Sequence, residues 1–201
     1  MLHFFGCSVT WGEELSDRHT QSYPALLSKA LNQPYHNYAR CGNDDFTSIN
    51  TFFRLFKNGY IKRDDTVFFQ WSGVRRHGIP FGKTVIQYPW IETELGKWKE
   101  RSKEEQDAVK AYVQYINDQP LVDLNRNMRW MFTSWAQSQG ARKFILFKAD
   151  EAHYSPWNSY ASWLPESFLG YTDRLNIPRA KEGHPTEHGH ARWAQYLLEF
   201  C

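Results

Sequence analysis

Long apolar runs, a dense cysteine framework, a charge imbalance and internal repeats are all missing from this 201-residue chain. No stretch approaches the ~20 consecutive apolar residues that a membrane-spanning helix needs, so no membrane partner is expected. Only a few apolar residues precede Gly6, with no basic start and no cleavage site, so the N-terminus reads as neither signal peptide nor anchor and the chain as cytoplasmic. Lys and Arg number 24 against 22 Asp and Glu, a net charge of +2 that gives no field to recruit nucleic acid. The three cysteines, Cys7, Cys41 and Cys201, cannot all pair within one chain and lack metal-ligand spacing. That argues against a disulfide scaffold and for a reducing compartment. Aromatic residues, by contrast, are abundant at 17%, with nine tryptophans. Most belong in a core, because rings bury large areas.

A chain of this length fits one domain over residues 1–201. Leu2, His3, Phe4 and Phe5 read as a short buried strand that Gly6 ends. Ser22 can cap a helix reaching about Asn32, with Pro24 in its first turn. Tyr35 to Ala39 reads as a second strand, and Asp44 or Asp45 caps a helix from about Phe46 to Phe56. Thr66 to Trp71 is nearly continuously apolar, as suits a central parallel strand covered on both faces. Residues 76–100 read as irregular, within a probable insertion around 77–120. Helical spacing follows over Lys103–Asn117 and about Leu121–Gln139. Lys143 to Lys148 is another buried strand, Asp150 to Pro178 reads as loops, and Ala191 to Phe200 as an amphipathic closing helix. Strands alternating with helices predict an α/β fold, a parallel sheet with helices on both faces.

Open sheets of that kind bind ligands at the carboxyl ends of their strands. Ser8 follows the first strand, Gly42 the second, and His184 precedes the last helix, so all three can meet there. A serine hydroxyl attacks a carbonyl only if a base takes its proton, and histidine has the right basicity. A carboxylate orients such an imidazole, and Glu182 is the acid nearest to His184 in sequence, although a solvated loop charge is its other reading. The backbone N–H groups of Ser8 and Gly42 are candidate donors to a developing oxyanion.

These blocks resemble those of the SGNH (GDSL-type) hydrolases. Gly6-Cys7-Ser8 is similar to the family's Gly-Asp-Ser, Asn37 to Gly42 to its second block, and Glu182-Gly183-His184-Pro185 through Trp193-Ala194 to its final block. The resemblance implies a three-layer α/β/α sandwich, flavodoxin-like, with Ser8 as nucleophile and His184 as base. It implies a serine esterase that needs neither metal nor organic cofactor, acting on a small acyl ester such as an O-acetyl group on a carbohydrate. Small members of this kind occur in bacteria and phages, so a virion-associated location is the alternative to the cytoplasm. Three departures stand out: Cys7 replaces the aspartate, Lys181 occupies the family's usual acid position, and the third block's asparagine is missing from Gln70-Trp71-Ser72-Gly73. Ser72, Asn43 and Arg75 are the candidate substitutes for that oxyanion donor, unless the donor is missing altogether. The departures also admit a second reading, an SGNH-fold binding or structural module with impaired chemistry, glycan-binding or part of a virion.

Other clusters read more plainly. His184, His188 and His190 could suggest zinc, but Pro185 and Gly189 break the helix that such spacing requires, so no metal is expected. Tyr154, Trp157, Tyr160 and Trp163 either flank a sugar or acyl pocket or pack over a strand end.

Overall fold

A computed structural model of the protein describes residues 1–73, 77–81, 84–88, 102–104, 106–107, 118–138, 144–149 and 164–201. Four short strands, β1 (Leu2–Phe5), β2 (Tyr35–Asn37), β3 (Thr66–Trp71) and β6 (Phe144–Lys148), form a parallel sheet in the order β2-β1-β3-β6. The chain therefore starts in the middle, steps to one edge, then crosses to the other side of β1. The point of reversal lies between β1 and β3, where open α/β sheets hold their ligands.

Successive strand side chains face opposite ways, and each set has its own helices. Leu2, Phe4, Phe68, Ile145 and Phe147 pack against α3 (Tyr23–Leu31), α6 (Phe168–Arg174) and α7 (Glu187–Leu197) through Tyr23, Leu27, Phe168, Tyr171, Trp193 and Leu197. Phe5, Val67, Phe69, Trp71 and Leu146 face the other way, onto Ile49 and Phe52 of α4 (Asp45–Lys57) and Phe132 of α5 (Asp118–Ser138). This is the three-layer α/β/α sandwich expected from the sequence. Each buried phenylalanine or leucine stabilises it by roughly 1.5–3 kcal/mol. Among the described residues no helix is long and apolar enough to cross a membrane.

Several boundaries move. Ser8–Trp11 forms a single helical turn, α1, directly after β1, and Arg18–Gln21 another, α2. Asp44 caps α4, accepting from the Thr47 N–H at 2.6 Å. The closing helix begins at Glu187, ahead of the expected Ala191, because Thr186 already has the extended backbone of an N-cap. Part of the expected loop over Asp150–Pro178 is α6, capped by the Ser167 hydroxyl on the Gly170 N–H at 3.0 Å. Within the stretch expected to be irregular, β4 (His77–Phe81) and β5 (Thr84–Tyr88) pair antiparallel, with Ile79 opposite Ile86. Gly78 and Pro80 conceal this strand in the sequence, since both are unfavourable inside a sheet. A two-stranded ribbon keeps an outer edge on which proline's missing N–H does no harm. Of the helix expected over Lys103–Asn117, residues 103–104 and 106–107 are helical; the rest, like the aromatic cluster Tyr154–Trp163 apart from its surroundings, lies outside the described residues.

His190 of α7 ties the last helix to α3. Its Nδ1 accepts the Tyr23 N–H at 3.2 Å, its ring stacks on Tyr23 at 12° with centroids 6.0 Å apart, and Nε2 is buried without a partner among the described residues. Burial, helped by the nearby His184, pushes its pKa down to about 3. The unfolded chain then binds a proton that the native one refuses between about pH 6.5 and 3, so stability declines as pH falls through that window. One proton corresponds to about 1.4 kcal/mol per pH unit. Burial also lowers the pKa of His3, against the pull of Asp65, and acts in the same direction. Urea melts between pH 7 and 4 should show this slope, and His190→Asn, which keeps an acceptor near the Tyr23 amide, should flatten it substantially. An unchanged slope in that variant would contradict the assignment.

Candidate active site

Gly6 lets β1 run straight into α1. A Cβ there would lie 2.6 Å from Thr10 Oγ1 and 2.7 Å from Gln70 Oε1, so only glycine fits. Gln70, fully buried at the end of β3, holds the turn from beneath. Its Oε1 accepts from the Thr10 hydroxyl at 2.7 Å and the Cys7 N–H at 3.3 Å, and its Nε2 donates to the Trp71 carbonyl at 2.8 Å. Cys7 Sγ, 3.3 Å from Gln70 Nε2, points into this buried contact. Its replacement of an acid is thereby accommodated: a buried thiol meets a neutral amide where a carboxylate would need charged or multiple donors.

With the turn so held, Ser8 Oγ lies 2.9 Å from His184 Nε2. The imidazole's other nitrogen, Nδ1, is 3.0 Å from Glu14 Oε2. The same carboxylate accepts the Glu182 N–H at 2.8 Å on Oε1 and the His184 N–H at 3.3 Å on Oε2. Burial pushes the Glu14 carboxyl up, but these backbone and imidazole donors outweigh it and hold its pKa below the ordinary range. Glu14 reaches the ring because the chain doubles back after α1: Gly12 ends that turn in the left-handed region (φ 84°), and Glu14 itself has φ 65°. The histidine is presented by a tight loop in which the Ala180 N–H donates to the His184 carbonyl at 2.8 Å and the Gly183 N–H to the Ala180 carbonyl at 3.0 Å.

The second loop is stitched to the first. The Arg40 N–H and Asn43 Nδ2 both donate to the Gly6 carbonyl, at 3.4 and 3.2 Å, and Asn37 Nδ2 donates to the Thr10 carbonyl at 3.0 Å. Gly42 lies in this loop with φ 71°. The loop from Trp11 to His19, Glu14 included, lines an open, mostly polar groove of about 360 Å³. Arg18 covers one face of the Trp11 ring there, its guanidinium carbon 3.9 Å from the ring centroid.

No protein-family model matches the sequence, and no curated protein matches it. Solved structures do. The crystal structure of TesA superposes with a TM-score of 0.57 at 15% identity, over 99% of this chain and 96% of that one. The chain has the fold of the SGNH (GDSL-type) hydrolases. Lipolytic proteins of the G-D-S-L family from Veillonella parvula and Desulfitobacterium hafniense also match, at 15% and 13% identity and TM-scores of 0.47 and 0.44, covering 98% and 100% of this chain and 96% and 98% of theirs.

Within this SGNH fold the structure brings Ser8 and His184 together and leaves Glu182 aside. The carboxylate at Nδ1 is that of Glu14, and the part of Glu182 that joins the cluster is its backbone N–H. Of the candidates for the third oxyanion donor, Arg75 lies outside the described residues and the other two are engaged elsewhere. The Ser72 hydroxyl and N–H donate to Asp45 Oδ1 at 2.9 and 2.8 Å, while Asn43 Nδ2 serves Gly6 and the Ser48 hydroxyl, the latter at 2.7 Å. Asp45 Oδ2 in turn takes Arg129 Nε at 2.6 Å, and the same guanidinium donates to the Ser72 carbonyl at 2.5 Å. A buried ion pair thus lies beside Ser72, directly after β3. The three histidines diverge: His184 is at the cluster, His190 is buried under α3, and His188 is exposed. Among the described residues no three His, Cys, Asp or Glu side chains come together as metal ligands.

Proposed function

We propose that the protein is a serine ester hydrolase that cleaves a small acyl ester through an acyl-enzyme. The observation that carries this reading is the 2.9 Å contact between Ser8 Oγ and His184 Nε2, within reach for direct proton transfer. Ser8 Oγ attacks the acyl carbonyl carbon while its proton passes to Nε2. The tetrahedral intermediate collapses, the C–O bond to the alcohol breaks, and His184 returns the proton to the departing oxygen. Water then attacks the acyl-Ser8 ester, gives its proton to Nε2, and releases the acid with the hydroxyl restored. The N–H groups of Ser8 and Gly42 are the proposed oxyanion donors; as the first residue of a helical turn, Ser8 has an N–H outside the helix's own bonding. The SGNH-type fold and its lipolytic neighbours are consistent with a hydrolase. An O-acetylated carbohydrate is the substrate class proposed, by analogy with the SGNH hydrolases.

A second reading, a binding module with impaired chemistry, draws on the engagement of Ser72 and Asn43 away from the site. Losing one oxyanion donor costs roughly 3 kcal/mol of transition-state stabilisation, which slows an esterase without silencing it. Steady-state assays with chromogenic acetyl, butyryl and octanoyl esters, then with O-acetylated sugars, separate the two. The hydrolase reading expects turnover that is fastest for acetyl; a folded protein inert toward every ester, yet retaining sugars on a glycan array, would replace it.

A further inference from the structure

The family resemblance places the orienting acid in the histidine's own loop, at Lys181 or Glu182. The structure puts a different side chain there. We infer that Glu14, supplied by the nucleophile's own loop, is the positioning residue that fixes the tautomer and orientation of His184, and that Glu182 has no side-chain part in the reaction. This inference rests on the serine-hydrolase reading above.

Geometry supports it on three counts. Glu14 Oε2 meets Nδ1 at 3.0 Å on the side of the ring opposite Ser8, so the neutral imidazole that can accept from the serine at Nε2 must carry its proton at Nδ1. The carboxylate also binds the N–H groups of Glu182 and His184, and so fixes the backbone that presents the ring as well as the ring itself. Its side chain is only 16% exposed beside an imidazole that is 20% exposed, which limits competition from water. The left-handed backbone at both Gly12 and Glu14 brings an acid so near to Ser8 in sequence round to the far face of the histidine.

Three donors converge on this carboxylate, and that sets the order of the variants. Glutamine offers one acceptor oxygen to the three, alanine none, and aspartate keeps the charge but is shorter by one methylene. Expected kcat therefore falls in the order wild type, Glu14→Asp, Glu14→Gln, Glu14→Ala. The last two lose about a hundred- to ten-thousandfold with little change in KM, the effect seen when an imidazole is left in the wrong tautomer. A merely structural latch would instead favour glutamine, the closest match in size.

The decisive readout is independent of turnover. In two-bond ¹H–¹⁵N spectra of histidine-labelled protein near neutral pH, neutral His184 should be the Nδ1–H tautomer in the wild type and should shift toward Nε2–H in Glu14→Ala, with Glu182→Gln resembling wild type. An unaltered tautomer in Glu14→Ala, or a kcat loss in Glu182→Gln that Glu14→Gln does not show, would overturn the inference. Because the spectra need no substrate, a protein inert toward esters but with a Glu14-dependent tautomer would sink only the hydrolase reading.

Discussion

Ser8→Ala and His184→Ala should each lower ester turnover by about 10⁴- to 10⁶-fold, and the double variant should be no worse than either single one. Ser8 Oγ and His184 Nε2 share one proton across 2.9 Å, so they act as a unit and removing either partner removes the same step. The residual rate would come from binding and the backbone donors, which neither substitution touches. Both side chains sit at the rim of the sheet, outside the two aromatic cores, so melting temperatures should stay close to wild type. Losses that multiply in the double variant would show that the two side chains act independently, and the proposed proton transfer between them would be wrong.

The largest expected effect on stability comes from the buried pair behind the site. Asp45 and Arg129 are each only 1% exposed, and Ser72 is bound to both. Asp45→Ala removes the carboxylate that pairs with the buried Arg129 guanidinium and accepts from the Ser72 hydroxyl and N–H. The cost of breaking such a pair from one side is about 3–5 kcal/mol, which for a chain of this size lowers the melting temperature by roughly 10 °C. Replacing both partners, as in Asp45→Leu with Arg129→Met, should recover part of that loss, because the desolvation of both charges disappears with them while the bonds to Ser72 stay lost. Thermal melts of the three proteins test this directly. A single variant within a degree or two of wild type would mean that water or another group compensates the charge.

The sheet was legible because its strands are short, apolar on both faces and separated by helical periods. Thr66 to Trp71 in particular allows no other reading, and its residues divide between the two cores as a covered central strand requires. Ser8 and His184 were legible from their places after the first strand and before the last helix. The acid was not. Glu182 is adjacent to His184 in sequence, but what it presents to the cluster is its N–H. Glu14 reaches the ring only through two left-handed residues, and Gly12 ahead of two glutamates was the one visible sign of such a reversal. Ser72 follows β3 and Asn43 lies in the loop before α4, yet local sequence does not reveal that Arg129, from α5, draws Asp45 and Ser72 into a buried network. The β4–β5 hairpin stayed hidden because its pattern is broken by the two residue types strands least favour, Gly78 and Pro80.

Fluorophosphonate labelling of the purified protein, followed by peptide mapping, tests the central claim that Ser8 is an activated nucleophile without assuming a substrate. The account predicts one adduct, on Ser8, that is lost in His184→Ala. A folded protein that takes up no label, or takes it up on another residue, would contradict it.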